Sequence, residues 1–293
     1  MQNITNLNVN FAKHIKNAPK IIFTGMTKKK LAIVGCGKLG GIVANAITQD
    51  ILAEYELIGL YSRTAEKAHS LAEHVAVTHG KPAVCSSISE LIALNPDYIV
   101  EAASPAAMRE LALPALCEGI SIVTLSIGAF ADDLFYAEVM QTAKSHGAHV
   151  YIVSGATGGF DVLQTATLMG GATARFFNEK GPNALRGTAV YDEQLHTEQR
   201  TVFTGTAKEA IALFPTKVNV TVAASRASVG PDNMHVTMQS TPGFIGDTQR
   251  VEIKNEQVHA VIDVYSATSE IAGWSVVSKI GRASCRERVS TLV

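Results

Sequence analysis

The six residues Gly35-Cys36-Gly37-Lys38-Leu39-Gly40 constrain this chain more than any other stretch. They form a G-x-G-x-x-G directly after an apolar run at 31–34 and at the opening of a helical pattern at 38–53. A strand that turns into a helix over such glycines opens a parallel, dinucleotide-binding βαβ unit. Gly35 permits the tight turn, Gly37 lets backbone amides approach a pyrophosphate, and Gly40 lets the helix lie close on its strand. The amides of Lys38 and Leu39 then face phosphate charge at the helix N-terminus. The same glycines would also serve a ligand-free turn, so the reading rests on their position between strand and helix.

The pattern after the motif repeats the unit. Short apolar runs at 31–34, 56–61, 83–85, 98–101, 121–125 and 149–153 read as strands. The stretches 38–53, 64–78, 87–94, 105–118 and 131–146 read as helices between them. Such alternation predicts a parallel sheet with helices on its faces. Pro105 sits at a helix's first turn, where its missing N–H costs nothing. The second strand of a dinucleotide fold ends on an acid when it binds an unphosphorylated ribose. Here it ends Tyr61-Ser62-Arg63-Thr64. Ser62 and Arg63 can hydrogen-bond a 2′-phosphate that an acid would repel, so NADP is expected to be accepted as well as NAD. Arg63 stacked on adenine, with both cofactors bound, is the competing reading.

The texture changes at Ser154-Gly155-Ala156-Thr157-Gly158-Gly159-Phe160, a small-residue loop. Beyond it, runs at 201–204, 234–239, 249–253 and 257–264 suit an antiparallel or mixed sheet, interrupted by helices at 207–213 and 216–229. An amphipathic stretch at 269–278 carries Trp274. The fold class expected is α/β: an N-terminal Rossmann dinucleotide-binding domain over 31–153, then a mixed-sheet α+β substrate and dimerisation domain over 154–265. A helix at 266–279 returns to the first domain.

Both ends stand apart. Residues 1–30 hold six lysines and no acid, and read as a basic, unstructured extension without the apolar region of a secretory signal. Residues 1–25 are expected to be upstream of the fold. Residues 280–293 show no clear periodicity, resemble translated adapter sequence, and are expected to be a non-native tail. The net charge of −1 hides this division, since residues 31–279 carry 16 Lys and Arg against 25 Asp and Glu. An acidic body argues against nucleic acid as a partner. No run approaches the length of a bilayer-spanning helix, so no membrane partner is expected. Cys36, Cys85, Cys117 and Cys285 form no C-x-x-C pair, which predicts no metal site and a reduced, cytoplasmic setting.

Further motifs carry a resemblance. Val100-Glu101-Ala102-Ala103-Ser104-Pro105, Ser126-Ile127-Gly128-Ala129-Phe130-Ala131-Asp132 and Ser154-Gly155-Ala156-Thr157-Gly158-Gly159-Phe160-Asp161 follow one another in order. Phe203-Thr204-Gly205-Thr206-Ala207-Lys208-Glu209-Ala210 and Phe214-Pro215-Thr216-Lys217-Val218-Asn219-Val220 come after them. Across 31–279 the chain resembles the L-aspartate dehydrogenase family. The resemblance implies NAD(P)-dependent oxidative deamination of L-aspartate to iminosuccinate, or to oxaloacetate and ammonia, a step that in many bacteria feeds NAD biosynthesis. It also implies that Ala129 offers its amide to the cofactor and that Asn219 lies on the nicotinamide side. Ala103 and Ser104 join that cofactor set. Ala129 follows a parallel strand at its carboxyl end, where ligands bind in open α/β sheets. The Asn219 carboxamide has a donor and an acceptor for the nicotinamide amide, and would equally serve a helix turn.

The chain also departs from the family. Where the family has its catalytic His stands Gln249, which cannot exchange a proton near neutral pH. The family's Asn-Pro-Lys before a Thr-Ser pair is replaced by Tyr265-Ser266-Ala267-Thr268-Ser269. The Arg/Lys-Pro segment expected after the first strand of the second domain is matched instead to Asp192-Glu193-Gln194-Leu195-His196. Carboxylate recognition normally uses Arg or Lys, so a substitute cation is sought in Arg226, one helical face from Asn219. Its plain alternative is a solvated helix residue. Asp161 is a candidate to orient the amine, or else an N-cap. With Ser154, Gly155, Thr268 and Ser269 these make the candidate substrate set. His196, His235 and His259 read as surface or strand histidines. Two rivals remain: an oxidoreductase of the same architecture acting on another small amino acid or semialdehyde, as in the homoserine dehydrogenase and dihydrodipicolinate reductase families, and an NAD(P)-binding sensor without catalysis. A homo-oligomer is expected from an exposed mixed sheet.

Overall fold

The computed structural model describes residues 27–214 and 218–289. The proposed upstream segment 1–25 therefore lies outside the described residues, as do the start of the helix expected at 216 and the last four positions of the tail.

The first half opens with β1 (Lys29–Val34), whose last four residues are buried, and turns over the glycine motif into α1 (Lys38–Thr48). Then follow β2 (Tyr55–Tyr61), α2 (Ala65–Ala76), β3 (Ala83–Cys85), α3 (Ile88–Ala93), β4 (Tyr98–Glu101), α4 (Pro105–Cys117), β5 (Ser121–Thr124), a 3₁₀ turn (Ile127–Ala131), α5 (Asp133–Ser145) and β6 (Val150–Ile152). The six strands pair in parallel in the order β3-β2-β1-β4-β5-β6. Strand order reverses between β1 and β4, and ligands of doubly wound sheets bind at that crevice. Side chains of α1 and α2 bury one face of the sheet, and Met108, Leu111, Phe135 and Val139 of α4 and α5 bury the other.

The second half contains a strand that alternation did not reveal, β7 (Thr173–Lys180), between α6 (Phe160–Leu168) and two 3₁₀ turns (Pro182–Leu185 and Glu193–His196). β8 (Arg200–Thr206), α7 (Ala207–Leu213), α8 (Asn219–Arg226), β9 (His235–Ser240), β10 (Asp247–Lys254) and β11 (His259–Ser266) follow. The sheet order is β11-β10-β7-β9-β8, with β7 and β9 parallel and the other pairs antiparallel. β7 is therefore its central strand. Its sequence, TARFFNEK, buries Ala174, Phe176, Asn178 and Lys180 on one face. Two of those four are polar, which disguises the period of two on which strand recognition depends.

Helix α8 joins the halves. Val222 and Ala223 are buried in the cluster on the α4 and α5 face of the first sheet, Ala224 and, just past the helix, Ala227 in the core of the second half. The last helix, α9 (Glu270–Val289), returns to α1, where a Cβ at Gly273 would come within 2.7 Å of Ile42. It continues past Lys279, where the sequence pattern had been read as ending. Ile280 is buried in the first core and its carbonyl accepts a hydrogen bond from Tyr55 Oη at 3.1 Å. The backbone from 280 to 289 is thus helical, against the expectation that this stretch lacks regular structure. Burial of Ile280, rather than a periodicity legible in the sequence, marks the continuation of the helix.

Candidate active site

At the switch point the glycines act as their positions require. Gly35 has φ of +101°, and a Cβ there would lie 2.6 Å from the Ala102 carbonyl oxygen. A Cβ on Gly40 would lie 2.0 Å from the Gly35 carbonyl oxygen, so helix and turn touch backbone to backbone. Gly37 is the N-cap of α1, has no side-chain capping bond, and faces open space. The first-turn amides are left for a ligand, and a helix N-terminus favours an anion there. A cleft of about 180 Å³ runs from these glycines past Tyr61, Ser62, Arg63, Thr64 and Lys67 to Ala102 and Ala103. The residues present fit a dinucleotide: main-chain donors for the pyrophosphate and two cations at the ribose end. Lys67 is a cation that the sequence did not single out, because it lies a helical turn beyond the strand end. Ser62 Oγ accepts a hydrogen bond from the Thr64 amide at 3.3 Å. Lys38 turns away, its ammonium 3.1 Å from Glu270 at the start of α9. Leu39 is half-buried against the first core.

Glu101, quoted in a motif but given no role there, organises the crevice. It is fully buried at the end of β4. Its Oε1 accepts from the amides of Ala103 (2.8 Å) and Ser104 (3.0 Å) and from Ser126 Oγ (2.9 Å). Its Oε2 accepts from Thr124 Oγ1 (2.8 Å) and the Ser126 amide (3.2 Å). One carboxyl group thereby ties the loop after β4 to the loop after β5. Burial pushes its pKa up, against the pull of these hydrogen bonds. Ser104 also caps α4, its Oγ accepting from the Ala107 amide at 3.2 Å.

The 3₁₀ turn beyond Ser126 meets α8 and carries Ala129, which is buried with its amide donating to the Ser126 carbonyl at 3.2 Å, which corrects the expectation that this amide is offered to the cofactor. Asn219 Oδ1 accepts from the Gly128 amide at 2.8 Å, so Asn219 bridges the two halves and is not a turn-former within its own helix. Arg226 is neither an open cation nor a solvated one. Its Nε donates to the Phe130 carbonyl at 2.9 Å, it pairs with Asp133 at 2.5 Å, and its guanidinium lies 4.4 Å from the Tyr136 ring centre. It clamps α8 onto the first domain, which corrects its assignment as a carboxylate anchor. Asp161 is corrected too: the N-cap of α6 is Gly159, at φ +67°, and Asp161 stands exposed in the first turn. Thr268 and Ser269 are exposed where α9 begins, and Thr268 Oγ1 accepts from the Glu270 amide at 3.3 Å.

On the second sheet, residues paired across strands share a face. Ser266, Asp247, Lys180, Ser240 and Arg200 form one row across the helix-covered face; Val264, Gln249, Asn178 and Met238 form the row below. Deeper rows, such as Ile262, Val251, Phe176 and Val236, are apolar. The polar end faces the first domain. Helix α6 starts over Ile262, which a Cβ on Gly159 would meet at 2.7 Å, and ends where Asn255 Nδ2 donates to the Ala166 carbonyl. The loop 154–159, arriving from β6, therefore lies at the Gln249 and Lys180 end. In it, Gly155 lies over Val220 at the start of α8, and Ser154 is half-buried with its carbonyl accepting from the Thr157 amide at 3.3 Å.

Lys180 answers the missing cation. With β7 in place, the first strand of the second domain ends in Lys180-Gly181-Pro182, and Asp192 to His196 belong to a 3₁₀ turn much further on. The Lys180 side chain is 8% exposed, its Nζ 2.6 Å from Asp247 Oδ1. Nearby, Gln249 is buried, Asn178 Nδ2 donates to the Thr248 carbonyl at 2.9 Å, and the hydroxyls of Ser240 and Thr157 are buried without a hydrogen-bond partner. Buried polar atoms left unpaired cost free energy, which marks this end as a place for a polar ligand. Among the described residues no His, Cys, Asp and Glu cluster suits a metal ion.

Residues 35–153 match the family described as homoserine dehydrogenase, NAD binding domain, and residues 161–283 match aspartate dehydrogenase, C-terminal. An L-aspartate dehydrogenase of Methanosarcina mazei is 32% identical over 232 residues, covering 78% of this chain and 84% of that protein. The chain belongs to the L-aspartate dehydrogenase family. An L-aspartate dehydrogenase of Acinetobacter baylyi is 30% identical over 276 residues, 90% of this chain and 99% of that protein. The crystal structure of aspartate dehydrogenase from Thermotoga maritima has the same fold, with a TM-score of 0.68 and 23% identity over 87% of this chain and 96% of that one. This family member thus carries an NAD(P)-binding Rossmann domain followed by a mixed-sheet domain.

Proposed function

We propose that the chain catalyses NAD(P)-dependent oxidative deamination of L-aspartate, or the reverse amination of oxaloacetate, by hydride transfer at the α-carbon. The observation that carries this reading is the polar end of the second sheet, set beside the loop that leaves the carboxyl edge of the dinucleotide sheet, in a chain of this family. Bound NAD(P) supplies the hydride acceptor. The amides of Gly37, Lys38 and Leu39 hold the pyrophosphate, and Ala103 and Ser104 form the wall that Glu101 braces. Ala129 and Asn219 lie on the nicotinamide side, where the Asn219 Nδ2 is left to orient the carboxamide because its Oδ1 accepts from the Gly128 amide and the Ala129 amide donates to the Ser126 carbonyl. Ser154, Gly155 and Thr157 close over the amino acid and exclude water, while Ser240 and the carboxamide of Gln249 offer hydrogen bonds to its carboxylates.

Arg63, Lys67 and Ser62 support binding of NADP as well as NAD. Arg63→Ala is expected to weaken NADPH about tenfold and leave NADH within a factor of two; equal losses would place Arg63 on the adenine ring instead. The reading itself is tested by following NADPH oxidation with oxaloacetate and ammonia, and NADP reduction with L-aspartate. Turnover supports it. Tight cofactor binding with no turnover on any small amino or keto acid would mark a sensor.

The open face of the second sheet supports self-association. Phe177, Val261 and Tyr265 are displayed there among Arg175, Arg250, Glu252 and His235. Sedimentation of the full chain is expected to give a homodimer, and Phe177→Glu a monomer. Among the described residues no helix is long and apolar enough to cross a membrane.

A further inference from the structure

Deamination has a proton to move as well as a hydride. An amino acid arrives as its ammonium form, and the nitrogen needs a free lone pair before the Cα–H bond can give up its electrons. Gln249 cannot take that proton. We propose that Lys180, held by Asp247, is the group that exchanges the proton of the substrate amine; the proposal rests on the deamination reading above.

The candidates on the walls of this end are few. From β7 comes Lys180, from β10 Asp247, from β8 Arg200; β9 contributes Ser240 and β11 Ser266. Arg200 sits at the far edge of the row, engaged by Asp192 at 2.6 Å and Glu198 at 3.3 Å, and a guanidinium does not give up its proton in proteins. Asp161, on α6, stands exposed. No histidine belongs to these two rows. Lys180 and Asp247 are the titratable pair that remains among the described residues. Lysine is the basic side chain that burial most readily turns into a proton acceptor. Asp247 is a single counter-ion, so a second ammonium arriving beside Lys180 leaves one positive charge unbalanced, which favours loss of one proton from the pair of amines. The Asp247 side chain is 36% exposed, and gives that proton a way to water.

One N–H bond of the substrate ammonium breaks and a bond from that proton to the neutral Nζ of Lys180 forms. The freed lone pair becomes the second C–N bond while the Cα–H bond breaks, its two electrons leaving with hydrogen as hydride to the oxidised nicotinamide. The substrate is oxidised by two electrons, the nicotinamide is reduced by two, and the protonated Lys180 passes its proton through Asp247 to solvent. In amination, protonated Lys180 returns it.

Lys180→Arg keeps the charge and removes the exchangeable proton, which separates this role from carboxylate binding. In the full chain with NADP, calorimetry is expected to show succinate binding within about threefold of the wild type, while kcat for L-aspartate falls about 100-fold or more. Adding Gln249→His to that variant is expected to restore kcat at least about tenfold, by supplying an imidazole one row below. Asp247→Asn removes the charge that favours the protonated amine, so the limb over which kcat/KM rises with pH moves to lower pH. Lys180→Arg with kcat within about fivefold of wild type would overturn the proposal and leave the deamination reading intact, as would a pH limb that stays in place in Asp247→Asn. If Lys180→Arg no longer binds succinate, that pH limb alone decides. Absence of wild-type turnover on every amino acid tried would remove the deamination reading, and the proposal with it.

Discussion

The cradle in the first sheet is made of main chain, and the polar end of the second is made of side chains. Six consecutive residues build the first, and what they contribute is the absence of side chains: room at Gly37, contact at Gly35 and Gly40. The second draws on β7, β9, β10 and the loop 154–159, whose members are nearly a hundred residues apart and meet by strand register. A backbone-built site tolerates no added atoms but is indifferent to neighbouring side chains. A register-built site depends on which residues fall opposite one another.

The largest effect that sharpens this contrast comes from Gly40→Val. Its Cβ has no space beside the Gly35 carbonyl, so the turn must open. A loss of about 3 kcal/mol is expected, with a melting temperature lower by roughly 5–10 °C and cofactor affinity down about 100-fold. Gly37→Ala meets nothing in the protein; its melting temperature should stay within about 2 °C while cofactor affinity drops about tenfold, as measured by calorimetry. If both variants lost stability equally, Gly37 would be serving the fold rather than the ligand.

Next in size is Glu101→Gln, which puts an NH2 donor in place of one acceptor oxygen, facing either the amides of Ala103 and Ser104 with the Ser126 hydroxyl, or the Ser126 amide with the Thr124 hydroxyl. The cost expected is about 1–3 kcal/mol. Its pH dependence has a definite sign. Burial raises the Glu101 carboxyl, and a carboxyl raised in the native state contributes stability that is complete below its ordinary range and is lost as pH rises through its native value. The gap between wild type and Glu101→Gln is therefore widest below the ordinary carboxylate range and narrows as pH rises through the raised native value, measured by urea unfolding. A gap that widens with pH would show the hydrogen bonds outweighing burial.

Arg226→Met tests the joint between the halves. It removes the bond to the Phe130 carbonyl and the pair with Asp133, for about 1–2 kcal/mol, and should broaden the melt as the domains uncouple. Thiol labelling gives the smallest effect. Cys36, pushed up to about 11 by burial, and buried Cys85 should react far more slowly with iodoacetamide than exposed Cys117. Cofactor should leave the Cys117 rate unchanged.

Much of the first half was legible. All six strands were placed within about two residues, because parallel strands buried on both faces read as continuous apolar runs. The ends of α9 and the role of Lys67 were not legible, since each depends on a partner distant in the chain. In the second half the reading went wrong at β7. Asn178 and Lys180 point into the protein, and polar residues at buried positions break the alternation by which a strand is recognised. With β7 hidden from the pattern, the sequence points to Asp192 through His196 and to Arg226, whereas Lys180 stands at the end of the central strand. Asp161 was misplaced by two residues because Gly159, with its positive φ, caps α6 in place of a side chain.

By itself, then, the sequence determined the nucleotide half of this family member: a local glycine pattern dictates a local turn, and the turn dictates where phosphate charge can sit. It also drew attention to Gln249, where the resemblance implies a histidine. Only the tertiary structure decided which side chains surround Gln249, that Arg226 is a clamp, and that Lys180 and Asp247 face one another. The reason is physical. Strand register places residues together through backbone hydrogen bonds that carry no side-chain identity, so a cluster assembled across three strands and a loop leaves no contiguous mark in the chain that forms it.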